Sequence, residues 1–422
     1  MRNCFRPLIA SLLFLLILLL GHTRPAAAYS VLTHQAIIDV VWEPALVPLL
    51  KQRFPLASEE ELRKAHAQAY GGAIIQDMGY YPFGSKFFTD LTHYVRTGDF
   101  VTNMLRSSRN LPEYAFALGA LAHYYSDIYG HSIATNKAVP LVYPELKAEF
   151  GPEVTYEEDP IAHIKMEFGF DVLQVARGNY APESYHQFIG FEVSREVLER
   201  AFSQTYGLEL KDQFMSLDLA VGTYRRTVST LIPGLTRAAW NMKKKDIQKA
   251  QPDLTRRRFQ YRIGRADYHQ NWGDTYQRPN LWHRFLSWLF RIAPKLGPNR
   301  AFAFKPPTPE AEKLFMESFN TIVDHYSAGL KAIGNQSLAL ANTDFDTGRR
   351  TEPGDYKKAD EAYADLLNKL TKAEFKNTSP ALKQNILRYY QNPLAPIVTK
   401  EDAKKWQETR QALQQLQDID LY

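Results

Sequence analysis

The sequence predicts an all-α fold of many helices, and three observations carry that prediction. Helix-start signatures recur along the chain, apolar residues follow them at three- and four-residue spacing, and no Asn-Gly or Asp-Gly turn joins alternating apolar strands. The composition agrees. Its 45% apolar and 23% charged residues are those of a folded globular chain, and 422 residues suffice for one large domain or two ordinary ones.

Taken in order, the first segment is not part of the fold. Arg2 and Arg6 precede the apolar run LIASLLFLLILLL (8–20), and the small residues Ala26, Ala27 and Ala28 follow. A basic start, an apolar run too short to span a bilayer comfortably and a small-residue cleavage site describe a secretory signal over 1–28, cut after Ala28. An uncleaved inner-membrane anchor is the alternative. Cleavage removes Cys4, the one cysteine, so the exported protein is expected to hold neither disulfides nor thiolate ligands.

Ser58 and Glu61 form a capping box. Asp159-Pro160, Thr308-Pro309 and Ser379-Pro380 each put a capping side chain before a proline at the first helical position, and Thr399 with Asp402 reads as another N-terminus. Helical spacing is clear in LAVGTYRRTVSTLIPGL (219–235), AEKLFMESFNTIVDHYSAGL (311–330) and ADEAYADLLNKL (359–370). The basic stretch 243–265 separates a His-rich front from a tail richer in Lys, Gln and Ala. It sets a soft boundary near residue 250, dividing 29–250 from a helical region over 251–422 of unassigned role.

The residues able to do chemistry gather in the front part. HYYSDIYGH (123–131) spaces His123, Asp127 and His131 four apart, on one face of a helix. Alone, that stripe reads either as a buried polar seam or as half of a metal site. Around it stand His34 in YSVLTHQAI, Asp77 in GAIIQDMGYYP, His93 in FFTDLTHYV, and His163 with Glu167 in HIKME. With thiolates excluded, a zinc site has to be built from such imidazoles and carboxylates. His325 reads as structural, and His66, His186, His269 and His283 have no patterned partners.

In that order the set resembles the zinc-dependent phospholipase C family, whose fold is shared with fungal single-strand nucleases. The resemblance spans residues 29–167 and implies an all-α phospholipase C/nuclease-like bundle holding three Zn²⁺ ions. It implies one zinc on Asp77, His93, His123 and Asp127, and a second on His131, His163 and Glu167. The third would take the amine and carbonyl of Tyr29, the new N-terminus, with His34 and a bridging Asp127. Tyr29 stands where the family usually has Trp, and Asp127 and His131 are separated by three residues where the best-known bacterial phospholipases have five. The short gap from Tyr29 to His34 leaves no room for the acidic residue of choline-preferring enzymes, so choline preference is not expected.

The resemblance implies hydrolysis of a phosphodiester by metal-activated water, with Asp77 orienting or deprotonating that water. A phospholipid at a membrane surface is the expected substrate, because Glu167 ends a pair that nucleases tend to end with Asp. Tyr81 and Phe88 are expected to line its pocket. LWHRFLSWLFRIA (281–293) reads as a buried helix or as an interfacial one, and 243–265 as a solvated surface or an anionic-lipid contact. No base-reading motif points to specific nucleic acid. A single-strand nuclease or nucleotidase with the same metals, and a non-catalytic exported metal-binding bundle, are the alternatives.

Overall fold

The structure is a computed structural model that describes residues 31–177, 190–225, 227–228 and 304–420. The signal segment, Tyr29 and the stretches 243–265 and 281–293 lie outside the described residues. Regular structure among those described is helical, as the sequence predicts; an isolated antiparallel bridge joins Thr343 to Arg350. None of these helices is long and apolar enough to cross a membrane.

Helix α1 (Val31–Val41) passes through a π-helical turn (Trp42–Leu46) into α2 (Val47–Arg53). The predicted capping box opens α3 (Glu59–Gly72): Ser58 Oγ accepts from Glu61 N, and the Glu61 carboxylate accepts from Ser58 N. A 3₁₀ turn (Ile75–Tyr80) leads to α4 (Lys86–Tyr94), α5 (Thr97–Ser107) and the long α6 (Leu111–Tyr129). A second π-helical turn (Gly130–Thr135) joins α6 to α7 (Asn136–Val142) and α8 (Pro144–Phe150). Then come α9 (Pro160–Arg177) and α10 (Arg195–Tyr206), and, further along, α11 (Pro309–Gly334), α12 (Lys357–Lys372), α13 (Pro380–Tyr389) and α14 (Ala403–Asp418).

The X-Pro starts cap as expected. Asp159 Oδ1 accepts from Ile161 N and Ala162 N, Thr308 from Ala311 N, and Ser379 from Leu382 N. The last start differs. Thr399 lies inside a 3₁₀ turn (Val398–Glu401), and Asp402 alone caps α14, through Lys404 N and Lys405 N. A carboxylate facing two free amides and the positive helix end is the stronger cap there.

α3 and α6 meet backbone to backbone. A Cβ on Gly119 would lie 2.1 Å from Ala69 O, and one on Gly72 2.0 Å from Phe116 O. This close crossing puts α6, buried along almost its whole length, at the centre of the molecule. One apolar core runs from Val31 to Leu416 and takes in Phe315 and Tyr326 of α11 and Leu366 and Leu367 of α12. Buried tyrosines fasten helices by donating to backbone carbonyls: Tyr326 to Leu118 (2.9 Å), Tyr224 to Gly71 (3.0 Å), and Tyr206 to Leu91 and Val95 (3.1 and 3.0 Å).

Adding a methyl at Gly119 forces α3 and α6 apart. Gly119→Ala is expected to lower unfolding stability by about 1–3 kcal/mol or more in denaturant melts. Gly222→Ala, where an added Cβ meets nothing within 4 Å, should be neutral or mildly stabilising.

Candidate metal centre

The helices packed around the α3–α6 crossing carry the histidines and carboxylates inward. α1 supplies His34, the 3₁₀ turn Asp77, α4 His93, α6 His123 and Asp127, the second π-helical turn His131, and α9 His163 and Glu167. None is more than 2% exposed.

The structure gathers seven of them into two groups and leaves His34 beside the first. In the first, Asp77 Oδ1 lies 3.2 Å from His93 Nε2 and 4.0 Å from His123 Nε2. Asp127 Oδ2 lies 3.0 Å from His123 Nε2 and 3.4 Å from His93 Nε2, and its Oδ1 faces His34 Nε2 at 3.5 Å. In the second group, Glu167 Oε1 is 3.1 Å from His163 Nδ1 and 3.2 Å from His131 Nε2. Asp127 and His131 would share one face of a continuous α-helix. The wider π-helical turn that begins at Gly130 turns His131 away, toward α9.

Backbone and amide acceptors fix which ring nitrogen points inward. His93 Nδ1 donates to Thr89 O (2.9 Å) and His123 Nδ1 to Ala73 O (3.0 Å), because a carbonyl can only accept. Asn136 spends its amide on Asp346 O (2.7 Å), so its Oδ1 accepts from His163 Nε2 (3.0 Å). The inward atoms His93 Nε2, His123 Nε2, His163 Nδ1, Asp77 Oδ1, both Asp127 oxygens and both Glu167 oxygens make no hydrogen bond. Buried polar atoms are seldom left so. Oriented imidazoles with the far nitrogen already hydrogen-bonded are the arrangement of metal ligands, and a donor set of imidazole and carboxylate without thiolate fits Zn²⁺.

Electrostatics point the same way. Among the described residues no Lys or Arg forms an ion pair with Asp77, Asp127 or Glu167; their partners are histidines. Burial pushes the Asp77 carboxyl up. Burial pushes Asp127 the same way, but His123 and His131 outweigh it and hold that carboxyl well below the usual range. Burial drives His93 down, yet the facing carboxylates of Asp127 and Asp77 outweigh it and raise it to about 10; His131 is likewise raised well above its ordinary value, chiefly by Asp127. Without metal, protons stay on these rings as the cations the carboxylates require.

The expected pocket residues fare differently. Phe88 is fully buried between Phe202 and Phe214, with ring centroids 5.8 and 5.6 Å away, so it has no face to offer a substrate. Tyr81 packs edge-on against Tyr224 at 5.1 Å and is also largely buried. The partly exposed rings at the histidines are Tyr80, 6.0 Å from His93, and Tyr156, 5.8 Å from His163. Two residues absent from the sequence-based set also reach the centre. Asp346 Oδ1 lies 3.4 Å from His131 Nδ1, and the Phe345 ring is 5.3 Å from that of His93. Their stretch, NTDFDTG, reads only as a turn. His325 stacks on Tyr129 at 4.3 Å and belongs to neither group.

Residues 33–216 match the family model described as zinc dependent phospholipase C. The resemblance seen in the histidine and carboxylate order is therefore met by an independent comparison over most of the front part. No curated protein and no solved structure matches the chain.

A histidine whose pKa is raised on folding stabilises the fold below its unfolded value and loses that contribution as pH climbs through the folded one. For His93 the window runs from 6.5 to about 10. Metal-stripped protein is expected to melt at progressively lower temperature across that window. Zinc-loaded protein, in which the ion replaces the proton, should show a smaller fall in the same thermal scans.

Proposed function

We propose that this chain is an exported, zinc-dependent phosphodiester hydrolase, and more finely a phospholipase C that releases diacylglycerol and a phosphorylated headgroup. The observation that carries the reading is the convergence of unbonded imidazole and carboxylate atoms in two adjacent buried groups, inside a segment that matches zinc-dependent phospholipases C. Asp77, His93, His123 and Asp127 would hold one ion; His131, His163 and Glu167 a second; and His34, Asp127 and the Tyr29 main chain a third. Zinc bound there would neutralise phosphate charge and bring the pKa of a water down toward ~7.

The protein's own groups do the rest. Asp77, whose Oδ1 makes no hydrogen bond within the protein, orients the attacking water and takes its proton. The water oxygen forms the new bond to phosphorus as the bond to the glycerol oxygen breaks, and a proton from solvent completes the hydroxyl of the departing diacylglycerol. Tyr80 and Tyr156, partly exposed beside His93 and His163, flank the approach for the headgroup. Asp171 supports the third site from behind: its carboxylate accepts from Leu32 N (2.9 Å) and Thr33 N (3.1 Å), which anchors the first turn of α1 ahead of His34. The stretches 243–265 and 281–293 are the segments we would look to for contact with an anionic membrane.

The decisive measurement is metal content by mass spectrometry on protein with a native Tyr29 N-terminus, paired with phosphate-release assays. About three zincs per chain are expected, with cleavage of phosphatidylcholine or phosphatidylglycerol that stops on chelation and returns with zinc. Cleavage of single-stranded DNA without lipid hydrolysis would select the nuclease reading. Zinc without any phosphodiesterase activity would select a binding bundle.

On this reading, an extra residue ahead of Tyr29 would take the amine out of the third site. Such a variant is expected to lose one zinc and most of the rate. Three zincs and full rate in that variant would remove Tyr29 from the ligand set.

A further inference from the structure

The loop after α11 reaches back to the metal centre, and every link in it is specified. Thr343 N donates to Thr97 Oγ1 (2.9 Å), and that hydroxyl donates to Thr343 O (2.8 Å). The Asp344 side chain accepts from Asp346 N (2.8 Å) and Thr347 N (3.1 Å), closing a tight turn. Phe345 N donates to His93 O (3.1 Å), and Asn136, which also holds His163, donates to Asp346 O. Gly348 completes the approach. Its φ is +70°, and a Cβ there would lie 2.8 Å from Ile128 O and 2.9 Å from Ser132, so only glycine lets the loop close on the end of α6.

This clamp leaves Asp346 with divided duties. Its Oδ2 accepts from the hydroxyls of Tyr94 (2.8 Å) and Tyr356 (2.6 Å), while its Oδ1 faces His131 Nδ1 at 3.4 Å. Both phenols are buried and stay protonated donors. The opposite nitrogen of His131, Nε2, faces Glu167. Carboxylate, imidazole and ligand group therefore stand in series, the order that sets a histidine's tautomer and ring angle at a metal.

We propose that Asp346 is a positioning residue for the second metal group: it accepts the Nδ1 proton of His131 and so presents Nε2, with Glu167 and His163, to a zinc ion. The inference rests on the metal reading above and adds to it a residue from outside the 33–216 match. It also gives the C-terminal region a task at the site.

The test is a set of zinc-binding isotherms on chelator-stripped, exported full-length protein, read by competition with a chromophoric chelator. Four proteins are compared: the native chain, Asp346→Asn, His131→Ala and the double variant. Asp346→Asn is expected to weaken one class of zinc site about 10–100-fold, the class that His131→Ala abolishes, and to leave the others at native affinity. In the His131→Ala background, Asp346→Asn should change nothing further.

Tyr356→Phe, which removes one of the two donors to Oδ2, reads the same class and serves if Asp346→Asn does not fold; a few-fold weakening there is expected. Native affinity at every site in the folded variant, or equal weakening at all of them, would overturn the proposal while leaving the metal reading intact. A native chain that binds no zinc would remove both.

Discussion

The centre of this protein depends on one electrostatic constraint. Asp77, Asp127 and Glu167 are buried almost completely, and among the described residues no Lys or Arg pairs with them. Desolvating carboxylates at that depth costs several kcal/mol each unless positive charge comes with them. Their partners in the structure are imidazoles, and of these His93 and His131 hold their protons well above the ordinary histidine range because the carboxylates face them. A metal ion resolves the same imbalance with more charge and without needing pH to cooperate. Folding and metal binding thus draw on a single charge deficit.

The scaffold is arranged to keep those side chains from relaxing into ordinary hydrogen bonds. Carbonyls of Ala73 and Thr89 occupy the outer nitrogens of His123 and His93, and Asn136 occupies that of His163. The acceptors belong to elements that packing has already fixed: the end of α3, the body of α4, and the start of α7. Ala73 is held by the close crossing at Gly119, where a Cβ would stand 2.9 Å from its amide nitrogen. A tight helix contact with no chemistry of its own therefore sets the direction of an imidazole. Preorganisation of this kind keeps lone pairs pointed at a common point, where a looser bundle would let them pair with one another.

Much of this was legible in the sequence. The helical class followed from spacing and caps, and Ser58, Asp159, Thr308 and Ser379 act as caps in the structure because a side-chain oxygen ahead of a helix has one obvious use. His123 with Asp127 and His163 with Glu167 could be paired because four residues make one helical turn. What the sequence hid were relations made by tertiary approach. The turn at Gly130 changes pitch without any change in composition, so the separation of His131 from Asp127 cannot be read from spacing. Phe88 and Tyr80 look alike as aromatics between two ligands, and only packing against Phe202 and Phe214 sends one of them to the core. Asp346 sits in a polar turn with no periodicity, and it matters only because Gly348 and Thr343 press that turn onto α6 and α5.

The loop that carries Asp346 also bears on the order in which the molecule can be finished. Tyr94 and Asp346 are 252 positions apart, and Asn136 and Asp346 are 210 apart, so these contacts close late and across most of the chain. A nascent polypeptide has made every imidazole of both groups long before residue 346 leaves the ribosome. Until it does, His131 lacks its backing carboxylate and the start of α7 lacks its clasp. A prematurely terminated product carries the histidines without the frame that aligns them. The loop over 343–348 acts in this sense as a checkpoint: a finished centre reports that translation has passed that loop.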